Sequence, residues 1–321
     1  MPVRLINPVN QRSLRPEGDC LVDGKGGTFP ILNGVPRICE VDNYTANFGK
    51  QWNLFPATQI DDAANERTVS ADRFFAATGW RADELTDADV LEVGSGAGRF
   101  TRVVLEHTRA NLYSVDYSNA VEANLATNAH VADGHLHLFQ ASIYEMPFPD
   151  GSFDRIFCMG VLQHTPSFEK SVRTLVQKAK SGGEIVVDFY PIRGWWTKLH
   201  AKYLLRPLTK RMAHDRLLRL IDRNADWLMA AHRGLSRMGL AVLTRFLPVV
   251  DQRTLPKGLS RKERREWTVL DTFDMFSPKY DNPQRISAVA EMFRRSGAEV
   301  SFAGFVEIPT GQAAVVRAIR R

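Results

Sequence analysis

The stretch Val90-Leu-Glu-Val-Gly94-Ser-Gly96-Ala-Gly98-Arg-Phe100 decides how this chain is read. A short apolar run leads into three glycines at alternate positions, and an amphipathic stretch over 99–106 follows. Glycine permits the tight turn and lets a ligand approach the backbone, while the free amides at a helix start attract a carboxylate or phosphate. Outward from this turn, apolar strands alternate with amphipathic helices. The patterns predict strands over 90–93, 112–115, 136–139, 153–158 and 184–189, and helices over 99–106, 120–129 and 168–178. Such alternation implies a doubly wound, mostly parallel α/β sheet with right-handed crossovers. A last helix over 283–295 and two strand-like runs, 299–308 and 313–319, extend it to seven strands with an antiparallel C-terminal hairpin.

Asp116 follows the strand over 112–115, where an acidic residue is placed to bind both hydroxyls of an adenosine ribose. A nicotinamide dinucleotide would ask for Gly-x-Gly-x-x-Gly. The spacing Gly94, Gly96, Gly98 favours S-adenosylmethionine instead.

With these residues the chain resembles the class I S-adenosylmethionine-dependent methyltransferases, over roughly residues 44–190 and the C-terminal hairpin. The resemblance extends through Ala141-Ser-Ile-Tyr-Glu-Met-Pro-Phe-Pro-Asp-Gly-Ser-Phe-Asp154, Gly160-Val-Leu-Gln-His-Thr-Pro166 and Lys180-Ser-Gly-Gly-Glu-Ile-Val-Val187. It implies that Gly94, Gly96 and Gly98 face the methionine moiety, Asp116 the ribose, and Tyr117, Ser142 and Ile143 the adenine. Ser142 departs from the family's usual Asp, and a hydroxyl accepts from the adenine amine more weakly than a carboxylate. Upstream, Tyr44-Thr-Ala-Asn-Phe-Gly-Lys-Gln51-Trp52-Asn-Leu-Phe55 resembles a helix that many relatives place over the cofactor. Gln51 is its expected polar contact, with Trp52 and Phe55 in the core.

Methyl transfer to an oxygen needs in-line alignment and removal of one proton. His164 follows the strand at the carboxyl end of the sheet, where the acceptor should lie, and is the candidate base; the same position also suits a residue that only shapes the pocket. Gln163 is a candidate for orienting substrate. Tyr190 and the cluster Asp271-Thr-Phe-Asp274-Met-Phe-Ser-Pro-Lys-Tyr280-Asp281 supply further pocket candidates, Tyr190 and Tyr280 above all.

With 321 residues and 44% hydrophobic side chains the chain is expected to be globular. Its start lacks the apolar core of a signal peptide and no run approaches about 18 apolar residues, so a cytoplasmic location is expected. Cys20, Cys39 and Cys158 are too few and too far apart for a disulfide framework. Residues 7–37 resemble the zinc-ribbon module of tRNA methyltransferase activators through Phe29-Pro-Ile31 and Gly34-Val-Pro-Arg37. The four ligand positions of that module would fall on Asn7, Asn10, Val22 and Lys25, none a thiolate, so no metal is expected.

Charge is unevenly spread. Residues 193–265 carry 18 Lys and Arg against 5 Asp and Glu, while the rest of the chain carries 24 against 31. Trp195, Trp196, Lys198, Lys202, Arg206, Lys210 and Arg211 interleave aromatics with cations, and Arg216, Arg219 and Arg223 follow at helical spacing. Such a surface suits phosphate, sugar phosphate or an anionic membrane, and equally a solvated helical cap. The expected organisation is a degenerate ribbon-like module over 1–45, a cofactor-binding core over 46–190, a basic helical lid over 191–267 and a C-terminal completion of the core over 268–321. The lid is expected near His164 and Tyr280, with Arg206, Lys210 and Arg211 beside an anionic acceptor. The function these features imply is O-methylation of a small molecule or of a glycan or lipid-linked precursor. An RNA methyltransferase and a non-catalytic S-adenosylmethionine-binding scaffold are the alternatives; the negative charge outside the insertion favours the first reading.

Overall fold

A computed structural model describes residues 3–39, 43–54, 58–61 and 68–321; Phe55 lies outside them. The chain opens with a four-stranded antiparallel sheet, β1 (Arg15–Glu17), β2 (Cys20–Val22), β3 (Thr28–Leu32) and β4 (Val35–Pro36). Where the ribbon resemblance places metal ligands, a carboxylate gathers the turns. Asn7 and Asn10 both donate side-chain N–H groups to Asp23 Oδ2 (2.6 and 2.7 Å), and the amides of Lys25 and Gly27 donate to Oδ1 (2.8 and 2.9 Å). Those four donors hold the Asp23 carboxyl well below the usual carboxylate range.

After α1 (Ala46–Leu54) and α2 (Val69–Thr78) the core runs β5 (Asp89–Val93), α3 (Arg99–His107), β6 (Asn111–Asp116), α4 (Val121–Asn128), β7 (Leu136–Gln140), β8 (Phe153–Met159), α5 (Phe168–Lys178) and β9 (Ala179–Phe189). The insertion contributes α6 (Ala201–Thr209), α7 (His214–Arg237) and α8 (Arg261–Phe276), and the chain ends with α9 (Ile286–Arg295), β10 (Ala298–Ile308) and β11 (Gly311–Arg320). The seven strands lie in the order β10-β11-β9-β8-β5-β6-β7, parallel from β9 to β7, with β11 antiparallel to both β9 and β10. Val90, Leu91, Leu112 and Ile156 are fully buried, as strands covered on both faces require. β9 starts at Ala179, earlier than the expected 184, because Gly183 allows a register shift against β8. A Cβ there would stand 2.9 Å from the carbonyls of Lys180 and Phe153.

The N-terminal sheet covers the β7 edge. Ile38 N donates to Gln140 O (2.7 Å), Ile6 N donates to Pro147 O (2.9 Å), and Arg37 pairs with Glu122. Leu14, Leu21 and Ile38 enter the same apolar cluster as Tyr113 and Phe139, so this module shares the main core and also closes an edge open to pairing.

In the insertion, α7 packs on α8 through Leu217, Ile221 and Ala225 against Val269 and Phe273. α8 starts at a capping box, Ser260 with Glu263, and continues past 267 to Phe276. Its end is tied down by α6: Arg206 donates to the carbonyls of Met275 (3.1 Å) and Pro278 (2.8 Å), and Thr209 Oγ1 to that of Phe276 (3.1 Å). These bonds satisfy acceptors that a helix terminus leaves open. Lys202 Nζ lies 3.0 Å from the buried Asp281 carboxylate. Arg206 is therefore consumed inside the structure, and the exposed Lys210 and Arg211 do not border the central cavity; the expectation that these three cations face the acceptor is corrected. Lys202 and Arg206 fall one helical turn apart on the inward face, within reach of Asp281.

Candidate functional site

The glycine turn between β5 and α3 is the floor of the site. Gly94 (φ +82°) and Gly96 (φ +55°) adopt left-handed conformations. A Cβ at Gly94 would meet Val161 Cγ2 at 2.3 Å, and one at Gly96 would meet the Trp52 indole at 2.9 Å. Both glycines border a cavity of about 350 Å³ at the carboxyl end of the sheet, within the usual size range of small-molecule sites. Gly98 does something else. It precedes α3 at φ +86°, and a Cβ there would strike Asn128 Nδ2 at 2.1 Å and Asn124 Oδ1 at 2.3 Å, so it lets α3 close on α4 and does not border the cavity.

Asp116, at the end of β6, lines the cavity. Its Oδ2 accepts from Gly96 N (2.8 Å), and its Oδ1 accepts from Ser118 N (2.7 Å) and Oγ (2.6 Å). The carboxylate thus braces the glycine turn and keeps acceptor capacity on Oδ2. Burial pushes its pKa up. Tyr117, Ala141 and Ile143 also line the cavity. Ser142 does not: its hydroxyl accepts from Tyr144 N (3.2 Å) in its own turn. Ser142, expected at the adenine, thus lies between two cavity residues in sequence, Ala141 and Ile143, with its hydroxyl engaged in the turn.

α1 forms one wall. Gln51 is 2% exposed, borders the cavity, and has no hydrogen-bond partner for Oε1 among the described residues. Trp52, expected in the core, lies instead over Gly96 and lines the cavity. Arg99, at the start of α3, donates to Ser70 Oγ (2.8 Å) and Gln59 Oε1 (3.2 Å), both neutral. Burial and the neighbouring Arg73 push its pKa down to about 9, which leaves it charged at neutral pH. Sequence reasoning missed Arg99, Arg73 and Gln59 as cavity residues, and only the position of Arg99 beside the glycine turn could have flagged one of them.

The opposite half is contributed by β8, β9 and the insertion. His164 is buried and lines the cavity; its Nδ1 lies 3.1 Å from the Tyr280 carbonyl oxygen, which as an acceptor puts the ring proton on Nδ1. Nε2 has no partner among the described residues. Burial lowers the His164 pKa and keeps the ring neutral. Tyr190 lines the cavity and donates to Asp274 Oδ2 (2.9 Å). Burial and the nearby Asp274 push the Asp271 pKa up to about 7. Val250, Thr254 and Trp267 complete the roof. Gln163 and Tyr280 do not border the cavity. Gln163 is wholly buried beside His164, and the Tyr280 ring packs 5.3 Å from that of Tyr44, which does border it. All three residues of the short 3-10 turn Leu162–His164 are buried, and of these His164 borders the cavity; Tyr280 meets His164 through its backbone carbonyl. A wider depression of about 500 Å³ lies at the amino end of the strands, around His107, Arg109 and His135. Doubly wound sheets bind ligands at the carboxyl end, which selects the smaller cavity. Among the described residues no group of three His, Cys, Asp or Glu side chains could hold a metal.

In the comparison with known families, residues 91–187, from β5 into β9, match the model of the family Methyltransf_11, described as a methyltransferase domain. The matched segment, which holds the glycine turn and Asp116, is thus similar to a methyltransferase domain. A Synechococcus protein, "Uncharacterized protein syc1184_c", is 26% identical over 232 residues, covering 70% of this chain and 50% of that protein. The Vibrio campbellii "Ubiquinone/menaquinone biosynthesis C-methyltransferase UbiE" is 30% identical over 129 residues, covering 38% of this chain and 49% of the relative. The chain thus spans about half the length of these curated relatives. A crystal structure of a SAM-dependent methyltransferase from Aquifex aeolicus is similar at a TM-score of 0.46 and 13% identity, covering 85% of this chain and 98% of the other.

Proposed function

We propose that the protein is an S-adenosylmethionine-dependent methyltransferase that methylates an oxygen on a small molecule or on a glycan or lipid-linked precursor. The observation that carries this reading is one cavity with two chemically distinct halves: the glycine turn with Asp116, and the cluster His164, Tyr190, Asp271 and Asp274. The first half fits S-adenosylmethionine. Asp116 offers an acceptor for the ribose hydroxyls, Gln51 Oε1 is a buried acceptor without a partner, and Arg99 is a cation bonded to neutral groups and suited to the methionyl carboxylate. Tyr117, Ala141 and Ile143 make the bed for the adenine ring. When bound, S-adenosylmethionine supplies a methyl group activated by the adjoining sulfonium.

In the second half His164 Nε2 takes the proton from an acceptor hydroxyl, and its burial keeps the ring in the neutral form a base requires. Asp271, near neutrality in pKa, is the second proton acceptor, and Tyr190 fixes Asp274 beside it. Two carboxyl groups over the acceptor end oppose a phosphate there and support a neutral hydroxyl. This favours a small neutral acceptor group at that end over a phosphate, and so the first reading over the RNA one.

The test is to incubate purified protein with isotope-labelled S-adenosylmethionine and fractionated cell extract, then locate the label by mass spectrometry. Label in the small-molecule or lipid fraction on oxygen is the expected result. Label confined to RNA would replace this reading with the RNA one, and no binding of S-adenosylmethionine would overturn it altogether.

A further inference from the structure

The outer face of the insertion reverses the usual amphipathic arrangement. In α6 the cations Lys202 and Arg206, each 7% exposed, point inward, while Leu204, Leu205 and Leu208 face solvent, Leu208 at 69% exposure. Just before α6, Trp195 is 78% exposed and Trp196 about half exposed. The Arg245 guanidinium donates to the Trp196 carbonyl (2.5 Å) and so lays the 3-10 turn Ala241–Phe246 alongside, which adds the exposed Val242, Leu243 and Phe246. On α7, Leu220 and Trp227 are exposed along the row that carries Arg216 and Arg223. Outside residues 195–246 the exposed large apolar side chains among the described residues are Val9, Leu32, Leu54 and Phe305, scattered singly as on any soluble surface. A concentration within one insertion is different and marks an interaction site.

We infer that this face docks on an anionic lipid bilayer. Tryptophans at its margin suit the headgroup level, the α6 leucines suit the acyl boundary, and exposed Lys210, Arg211, Arg216 and Arg223 suit headgroup phosphates. Charge complementarity favours a lipid surface over a second copy of the chain. Residues 195–246 carry 11 Lys and Arg, nine without the inward Lys202 and Arg206, against 3 Asp, of which Asp222 and Asp226 already pair with Arg265 (2.8 and 3.1 Å), so two such faces would repel. No described helix is long and apolar enough to cross a membrane, so the contact is interfacial. The inference does not rest on the methyl-transfer reading, because neither the exposed face nor its test involves the cavity.

The experiment is sedimentation of the full chain with vesicles of phosphatidylcholine alone or with about one third phosphatidylglycerol, with tryptophan emission followed in parallel. Binding to the anionic vesicles only is expected, with a blue shift of emission and about ten-fold weakening at high salt. The double variant Leu204→Ser/Leu208→Ser and the double variant Lys210→Glu/Arg211→Glu should each bind about ten-fold more weakly. Their circular dichroism and melting should match the parent, which separates a lost surface from a lost fold. Undiminished binding by both variants would overturn the inference. So would a parent protein that ignores anionic vesicles, whether monomeric or self-associated through this face. Loss of S-adenosylmethionine binding would bear on the proposed activity alone.

Discussion

Asp116 carries two loads, bracing the glycine turn through Gly96 and offering its free acceptor capacity to the cavity. Asp116→Ala is expected to weaken S-adenosylmethionine binding by at least one charge-assisted contact, about 1.5–3 kcal/mol, measured by calorimetry. Asp116→Asn, which retains one acceptor, should lose less. Undiminished affinity in the alanine variant would take Asp116 out of the site. The candidate bases are separable by pH. His164 titrates below its ordinary value, so a rate limited by its proton transfer is already flat near neutrality; Asp271 would make the rate climb through about pH 7. His164→Gln is expected to lower kcat by about 10²–10⁴-fold with cofactor affinity unchanged, and a variant as fast as the parent would shift the role to Asp271. Glu92, buried behind the turn with Thr101 and Ser114 hydroxyls donating to it, is pushed up to about 7. Its native pKa exceeds the unfolded value of about 4.3, so the unfolded state loses its proton first and stability falls as pH rises between the two. Glu92→Gln should therefore match the parent below about pH 4 and exceed it at pH 8 by about 1–3 kcal/mol in denaturant unfolding.

At the scale of elements, one side chain often decides whether a segment docks. Asp23 collects four donors from two turns of the N-terminal sheet. Its folded pKa is depressed, so the stability it confers is present above the ordinary carboxylate pKa and is lost as pH falls below it. Asp23→Ala should raise hydrogen exchange across β1 to β4 at neutral pH, reproducing what acid does to the parent; exchange confined to its former rate would show that apolar packing alone holds the module. Arg206 plays the equivalent part for α8. Arg206→Met should cost about 2–4 kcal/mol in unfolding, because it leaves the Met275 and Pro278 carbonyls without their donor and Asp281 with one cation fewer.

At the scale of the molecule, the cavity is walled by segments remote in sequence. Gln59 Nε2, beyond α1, donates to Asp271 Oδ1 of α8 (3.1 Å) and Asn47 Nδ2 of α1 to Ser277 Oγ at the end of α8 (3.2 Å), so the α1 region and α8 meet at the cavity. S-adenosylmethionine at about 100 times its Kd should therefore add about 2.7 kcal/mol of stability and protect α1 and α8 from hydrogen exchange together. Protection of α1 alone would mean that the roof does not close on the cofactor half. The sequence by itself determined the strands and helices of the sheet and the glycine turn at its carboxyl end, because strand alternation, helical periodicity and glycine's access to positive φ are written within a few neighbouring residues. It also marked Asp116, Tyr117, Ile143, Gln51, His164 and Tyr190, all of which border one cavity. Only the tertiary structure decided among residues alike in sequence. Gly94 and Gly96 face the cavity whereas Gly98 faces α4, since what each glycine meets comes from Val161, Trp52 and Asn128 on other elements. Lys202 and Arg206 turned inward because Asp281 and the open end of α8, some 70 residues on, offered partners that outweigh water. The leucines of α6 were left outside for the same reason: a helix has one inward face, and long-range pairing, not local hydrophobicity, chose it.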